Sequence, residues 1–147
     1  MVKVKEIQAR LAKLEEYVQA LERYSKLTRE RIQQDLDTEW AIERVLQNCI
    51  QVVIDIATHL LASASNKRAD DYTQAIVRLG EFGVLPRDFA NSLKGMAGFR
   101  NILVHGYLEV DEDKVYDNIQ RGLEDFPQFA TYVHEWMQKQ GLLKDNE

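Results

Sequence analysis

Four residues between positions 100 and 107 carry side chains that can handle a phosphate group and a proton. Asn101 directly follows Arg100, and His105 and Tyr107 come five and seven residues after that arginine. A guanidinium binds phosphate through paired, charge-assisted hydrogen bonds, and an imidazole exchanges a proton near neutral pH. Together they suffice for metal-free RNA cleavage, in which the 2′-hydroxyl attacks the adjacent phosphorus and arginine stabilises the developing charge.

The same residues are predicted to lie at the C-terminal end of a helix. Asn101 and His105 are four residues apart and therefore share one helix face, where the amide can orient the imidazole. Arg100 lies about 140° around the helix from His105, but its length allows both head groups to reach one phosphate if the helix frays at Gly106. An arginine and a histidine at this spacing occur by chance in many helices, so spacing alone leaves a structural role open.

Two glycines, Gly95 and Gly98, fall in the helical window just before this cluster. Each costs a helix about 1 kcal/mol relative to alanine. A glycine in such a position indicates either close packing of the backbone against another helix or the close approach of a ligand. The sequence leaves these two interpretations open.

The elements that must position the cluster are all predicted to be helices, because apolar residues recur at helical spacing and strand-forming runs are short. The second helix is the most apolar, so it must be covered on more than one side. In a bundle of five to six helices it is either the central helix or a helix that serves both the core and a dimer surface. We predict helices over about 3–31, 35–62, 70–80, 86–105 and 111–127, with Pro127 ending or kinking the fifth helix before a last helix that reaches about 140.

Composition narrows the function classes. The chain has 19 lysines and arginines against 24 aspartates and glutamates, a net charge of −5, which argues against a general nucleic-acid coat protein and requires any RNA site to be local. Cys49 is the sole cysteine and is predicted to be a buried small hydrophobe, which excludes an intrachain disulfide. No apolar stretch is expected to span a membrane, so we predict a cytoplasmic protein of one domain over 1–140 with a polar tail over 141–147.

Other polar and aromatic residues receive structural interpretations. Three scattered histidines lack the spacing of metal ligands, so no metal and no cofactor is predicted. His59, on the apolar second helix, is expected to be a buried, hydrogen-bonded core residue, and Trp40 and Trp136 are expected to pack. The acidic run 111–113 is expected to begin a helix rather than bind a cation, and the basic first helix is expected to present a solvated face, with contact to RNA or a partner as the alternative.

The whole chain resembles the HepT-like branch of the HEPN superfamily, the toxin half of the HEPN–MNT toxin–antitoxin systems. The family motif is Arg, four residues, His, one residue, Tyr, and here it reads Arg100-Asn-Ile-Leu-Val-His105-Gly-Tyr107 without departure. The preceding Lys94-Gly-Met-Ala-Gly-Phe and the apolar segment Ile54-Asp-Ile-Ala-Thr-His59 are similar to the family as well. The resemblance covers nearly all of residues 1–140.

This resemblance implies an all-α HEPN bundle that forms a homodimer, with the two motifs brought together at the dimer interface. It implies the toxin of a type VII toxin–antitoxin system that cleaves RNA, either tRNA or mRNA, without a metal ion. Arg100 and His105 would be catalytic and Asn101 would support them. The partner would be an MNT-type nucleotidyltransferase antitoxin that transfers AMP to Tyr107, placing a phosphate and a base beside Arg100 and thereby excluding RNA.

A different class of function stays open on the same fold. The chain can instead be a catalytically inactive HEPN module that binds a nucleotide or serves as a scaffold for a partner, and its net acidity motivates this alternative. A protein that modifies nucleotides itself is disfavoured, because the chain has no glycine-rich phosphate loop. Toxicity on expression without a partner separates the nuclease from the scaffold.

Overall fold

A computed structural model describes residues 1–65, 69–106, 108 and 110–143 of the chain. These residues form α-helices without any strand, which confirms the predicted all-α fold. The helices are α1 Val4–Ser25, α2 Arg29–Gln33, α3 Leu36–Leu60, α4 Tyr72–Phe82, α5 Arg87–Leu93, α6 Gly95–His105 and α7 Glu112–Lys139. A π-helical turn, Leu61–Ser65, extends α3.

Helix α3 lies at the centre of the bundle, as its broad apolar face predicts. It packs against α1 on one side and against α4, α6 and α7 on the others, and ten of its residues are buried. Helix α7 closes the bundle by packing along α1. The core contains no buried polar or charged residue among the described part of the chain, so hydrophobic burial is the main force that assembles these helices.

Short polar side chains begin four of the helices, because the first backbone N–H groups of a helix lack partners within it. Thr28 accepts a hydrogen bond from the backbone N–H of Arg31 to start α2. The carboxylates of Asp35, Asp71 and Asp111 act in the same way at the starts of α3, α4 and α7. The helix predicted over about 70–80 is therefore capped by Asp71, and the acidic run 111–113 begins a helix as expected.

Several predicted helix boundaries are wrong. The first predicted helix is divided into α1 and α2, and the fourth is divided into α5 and α6 at Lys94. Pro127 does not end a helix, since α7 continues through it. Pro127 is exposed, so solvent can reach the carbonyl that it leaves unpaired, while Phe126 and Phe129 on either side are buried and hold the helix on the core.

The expectation that no apolar stretch reaches transmembrane length is wrong, as judged by length and composition. Within the described residues, Leu36–Ser65 is long and apolar enough to cross a membrane, with a mean hydropathy of 1.4 in its most apolar window. Half of that window is buried inside the bundle. The apolar character of α3 is thus accounted for by its central position, where it contacts helices on several sides.

The cysteine, the two tryptophans and the histidine of α3 were given structural interpretations from the sequence, and only some of these are confirmed. Cys49 is buried, as predicted, and burial raises the pKa of its thiol to about 12. Trp136 packs against Phe82, with ring centroids 6.0 Å apart. The expectation that Trp40 packs is wrong, because 60% of it is exposed. His59 is half-buried rather than fully buried, but it is hydrogen-bonded, accepting from the backbone N–H of Lys3 at 3.0 Å.

Candidate active site

Helix α6 carries three of the four residues singled out from the sequence. It ends at His105, and Gly106 follows as the C-cap, with its N–H bonded to the carbonyl of Ile102 at 2.9 Å. Helix α6 packs against α3 through a buried side that includes Met96, Ala97 and Phe99. Tyr107 lies outside the described residues, so its predicted modification is not assessed by this geometry.

Arg100 is half-buried and held by residues from two other helices. Its Nε–H donates to the Oε1 of Gln51 on α3 at 2.8 Å. Its guanidinium carbon lies 5.4 Å from the ring centroid of Tyr72 on α4, a cation–π contact. The Nε2 of Gln51 in turn donates to the Oδ1 of Asp55 at 2.8 Å. This chain of contacts restricts the guanidinium to one place on the surface of the bundle.

Asn101 contacts the arginine and not the histidine. An Nη1 N–H of Arg100 donates to the Oδ1 of Asn101 at 3.1 Å. The idea that the Asn101 amide orients the imidazole therefore finds no support in this geometry. Of the five N–H donors of a guanidinium, Gln51 and Asn101 use two. The other donors of Arg100 have no hydrogen-bond partner among the described residues and can bind phosphate oxygens.

His105 is exposed at the last turn of α6. Among the described residues, no side chain or backbone group is hydrogen-bonded to its imidazole ring. The ring is therefore accessible to a ligand, while Arg100 is directed toward α3 and α4. The structure thus places the two groups on the same helix end, with Arg100 fixed by neighbouring side chains and His105 free of such restraint.

Gln51, Asp55 and Tyr72 were not identified as site residues from the sequence. Gln51 and Asp55 interrupt an otherwise apolar stretch of α3 and are four residues apart, on one helix face. Polar residues at that spacing in the most apolar helix were the available signal. Tyr72 gave no signal, because it reads as an ordinary first-turn residue after the Asp71 cap.

Carboxyl groups gather where α7 begins, a few residues past the motif. Burial, and after it the nearby charges of Glu43 and Glu39, raise the pKa of Glu112 to about 7. The pKa of Glu43 is also raised, mainly by burial and then by Glu39. The described ranges contain no group of three or more histidine, cysteine, aspartate or glutamate side chains suited to hold a metal ion.

Comparison with known proteins places the chain in a family. The family described as "Ribonuclease HepT-like" matches residues 14–133, which include the whole motif. The chain belongs to the HepT-like family. A HepT-like relative named tRNA nuclease HepT, from Aphanizomenon flos-aquae, is 24% identical over 131 residues, which span 89% of each chain.

Two further HepT-like proteins extend the comparison. A relative named mRNA nuclease HepT, from Shewanella oneidensis, is 31% identical over 103 residues, covering 70% of this chain and 77% of the relative. A solved structure of a tri-AMPylated HEPN toxin from the same organism, in complex with its MNT antitoxin, has a TM-score of 0.79 and 26% identity. It covers 88% of this chain and 96% of that one. The HepT-like fold is thus shared along most of the chain.

Proposed function

We propose that this HepT-like protein is a toxin that cleaves RNA in the cytoplasm without a metal ion, with Arg100 and His105 as its catalytic pair. The observation that carries the proposal is the state of Arg100. Its guanidinium is anchored by Gln51 and Tyr72 and still keeps donors free for a phosphate, five residues before an exposed histidine. Anchoring of this kind positions a charged group before the substrate arrives.

The chemistry follows from the two side chains. His105 accepts the proton of the 2′-hydroxyl as that oxygen forms a bond to the adjacent phosphorus. Arg100 hydrogen-bonds the non-bridging oxygens as charge develops on them. The bond from phosphorus to the 5′-oxygen then breaks, and the leaving oxygen takes up a proton. The products are a 2′,3′-cyclic phosphate and a 5′-hydroxyl, so DNA, which lacks the 2′-hydroxyl, is not a substrate.

Regulation is proposed to act through Tyr107, two residues past His105. The partner is an MNT-type nucleotidyltransferase antitoxin, by analogy with the AMPylated toxin–antitoxin complex from Shewanella oneidensis. The phenolic oxygen attacks the α-phosphorus of ATP and pyrophosphate leaves, so that a phosphodiester joins the tyrosine to adenosine. The added negative charge would be attracted to Arg100, and the base would occupy space that RNA needs. AMPylation would therefore switch the nuclease off.

A homodimer is part of the proposal. Arg100 is held against α3 and α4, while His105 is exposed at the end of α6, so a second copy of the motif can add its own groups to this exposed site. Large apolar side chains are exposed at Leu36, Trp40 and Leu108, with exposures of 58%, 60% and 86%. Leu36 and Trp40 are four residues apart on one face of α3, and adjacent exposed apolar side chains favour a surface that a partner covers.

The test is RNA cleavage in EDTA by the chain expressed alone, beside His105→Ala and Arg100→Gln. We expect wild type to cut tRNA or mRNA, both variants to lose the activity, and the fragments to carry 2′,3′-cyclic phosphates. A single 2′-deoxy substitution at the cut nucleotide should block cleavage there. Uncut RNA with wild type, together with Tyr107 shown by mass spectrometry to be unmodified, contradicts the proposal and favours the scaffold function.

A further inference from the structure

A cleft of about 330 Å³ lies between α6 and α7, on the exposed side of the helix that ends in His105. Helix α6 contributes Gly95, Gly98 and Ile102 to its wall, and α7 contributes Lys114, Asn118 and Arg121. The α6 wall of the cleft reaches into the motif, since Ile102 lies one turn before His105. None of these cleft residues takes part in the network that holds Arg100.

The two glycines have no packing reason among the residues that the structure describes. A Cβ atom added at Gly95 or at Gly98 would meet no atom within 4 Å, whereas one added at Gly80 would lie 2.9 Å from the Cβ of Ala90. Close helix packing therefore explains Gly80 but not the pair in α6. Gly98, inside α6, still costs the helix about 1 kcal/mol relative to alanine, whereas Gly95 is the first residue of that helix. The space they leave is available to a group from outside the chain.

The lining of the cleft is more basic than acidic, although the protein as a whole is acidic. Lys114 and Arg121 line it together with one described carboxylate, Asp125, whereas the chain as a whole has a net charge of −5. The Lys114 ammonium forms no ion pair with any described residue. Arg121 donates one N–H to the backbone carbonyl of Ser92 at 3.2 Å, and its charge partly offsets the rise that burial produces in the pKa of Asp125. Both cations can thus contact phosphate groups.

We propose that the α6–α7 cleft binds the sugar–phosphate backbone of single-stranded RNA beside the nucleotides that are cut, with Lys114 and Arg121 contacting phosphates. This inference rests on the proposed function. Gly95 and Gly98 let the strand approach the α6 backbone, and the path along Gly98 and Ile102 leads to His105. Contacts of this type position a strand without reading its sequence.

The experiment measures binding of a short, fluorescein-labelled single-stranded RNA by anisotropy, in the His105→Ala background so that the RNA is not cut. We expect Lys114→Gln and Arg121→Gln each to weaken binding about threefold to fivefold at 0.15 M salt. Each should also reduce the slope of log affinity against log salt by about 0.7. Lys139→Gln makes the same change on the same helix, about 37 Å from Lys114. It should bind the RNA as tightly as the His105→Ala protein does.

A second variant, Gly98→Leu, fills the cleft from the α6 side and should lose most of its RNA affinity while melting at or above the temperature of wild type. If both charge variants keep the affinity and the salt slope while wild type cuts RNA, the proposal that the cleft binds RNA is wrong and the nuclease proposal stands. A changed molar mass of Gly98→Leu in light scattering, with the charge variants binding normally, assigns the cleft to a contact between copies instead. Uncut RNA with wild type, when mass spectrometry shows Tyr107 to be unmodified, defeats both proposals together.

Discussion

The Nε–H of Arg100 donates to the Oε1 of Gln51 at 2.8 Å, although the two residues are 49 positions apart in the sequence. Gln51 is itself held by Asp55 through a bond of 2.8 Å. The arginine proposed to bind the scissile phosphate therefore depends on an amide that belongs to the central helix. A misplaced catalytic group can slow a reaction strongly even when the fold is intact.

We therefore expect Gln51→Leu to lower kcat for RNA cleavage about tenfold with a smaller change in KM, because the guanidinium loses the acceptor that aims it. Gln51→Glu keeps an oxygen that accepts from Arg100 but loses the N–H that Gln51 donates to Asp55, so its kcat should fall between those of Gln51→Leu and wild type. Steady-state kinetics with thermal unfolding of each variant checks the prediction. Wild-type kcat in Gln51→Leu would show that this bond does not position the arginine.

Alanine at the two kinds of glycine should have opposite effects on stability. Gly98→Ala adds a methyl group where nothing lies within 4 Å, so the free energy of unfolding should rise by about 1 kcal/mol. Gly80→Ala places its Cβ 2.9 Å from that of Ala90 and should lower the free energy of unfolding by about 1–3 kcal/mol. Urea unfolding measures both, and a less stable Gly98→Ala would contradict the open space described here.

The N-terminus of α1 should loosen in acid through His59. Burial lowers the pKa of its imidazole, and its neutral Nε2 accepts from the N–H of Lys3. The stabilisation is complete above the unfolded-state pKa of about 6.5 and is lost as the pH falls below it, because the protonated ring cannot accept that bond. His59→Ala should be about 1 kcal/mol less stable at pH 8, and this difference should shrink by pH 5.5 in thermal unfolding experiments.

The carboxyl of Glu112 should stabilise the folded state in acid, which is opposite to the effect of His59. Its pKa is about 7 in the folded protein against an ordinary 4.5, first because of burial and then because of the charges of Glu43 and Glu39. The folded state therefore keeps a proton that the unfolded state releases, and this contribution is full below pH 4.5 and is lost as the pH rises through 7.

Glu112→Gln stays neutral, so it should be more stable than wild type at pH 8 by about 1 kcal/mol, since solvent screens a partly exposed carboxyl. The two proteins should unfold alike at pH 4.5. Glu135→Gln, at an exposed glutamate of the same helix, is the control and should follow the wild-type pH profile. Equal stability of Glu112→Gln and wild type at pH 8 would disprove the raised pKa.

Tyr107→Phe should separate activity from regulation. The phenyl ring has no oxygen to receive AMP, so the variant should cut RNA as well as unmodified wild type and should stay active after incubation with the nucleotidyltransferase antitoxin and ATP. Tyr17→Phe, at a half-buried tyrosine on α1, should still be silenced. Intact-protein mass spectrometry reports the AMP adduct, and silencing of Tyr107→Phe would place the modification elsewhere.

Much of the fold was predictable because helices are built from local contacts. The apolar spacing along α3 predicted a central helix, and the carboxylates at 35, 71 and 111 lie where their helices begin. The break at Lys94 and the continuity through Pro127 were not predictable. Both depend on how a helix packs on its neighbours, and the buried rings of Phe126 and Phe129 outweigh the local preference of proline.

The amino-acid sequence by itself determined the helical class, the family and the motif that ends at Tyr107, because periodicity and motif spacing are properties of neighbouring residues. Only the tertiary structure decided that Gln51 and Tyr72 hold Arg100, that Trp40 is exposed, and that Gly95 and Gly98 face an open cleft. The physical reason is that such contacts join residues far apart in the chain. They exist only after hydrophobic burial has brought α3, α4, α6 and α7 together.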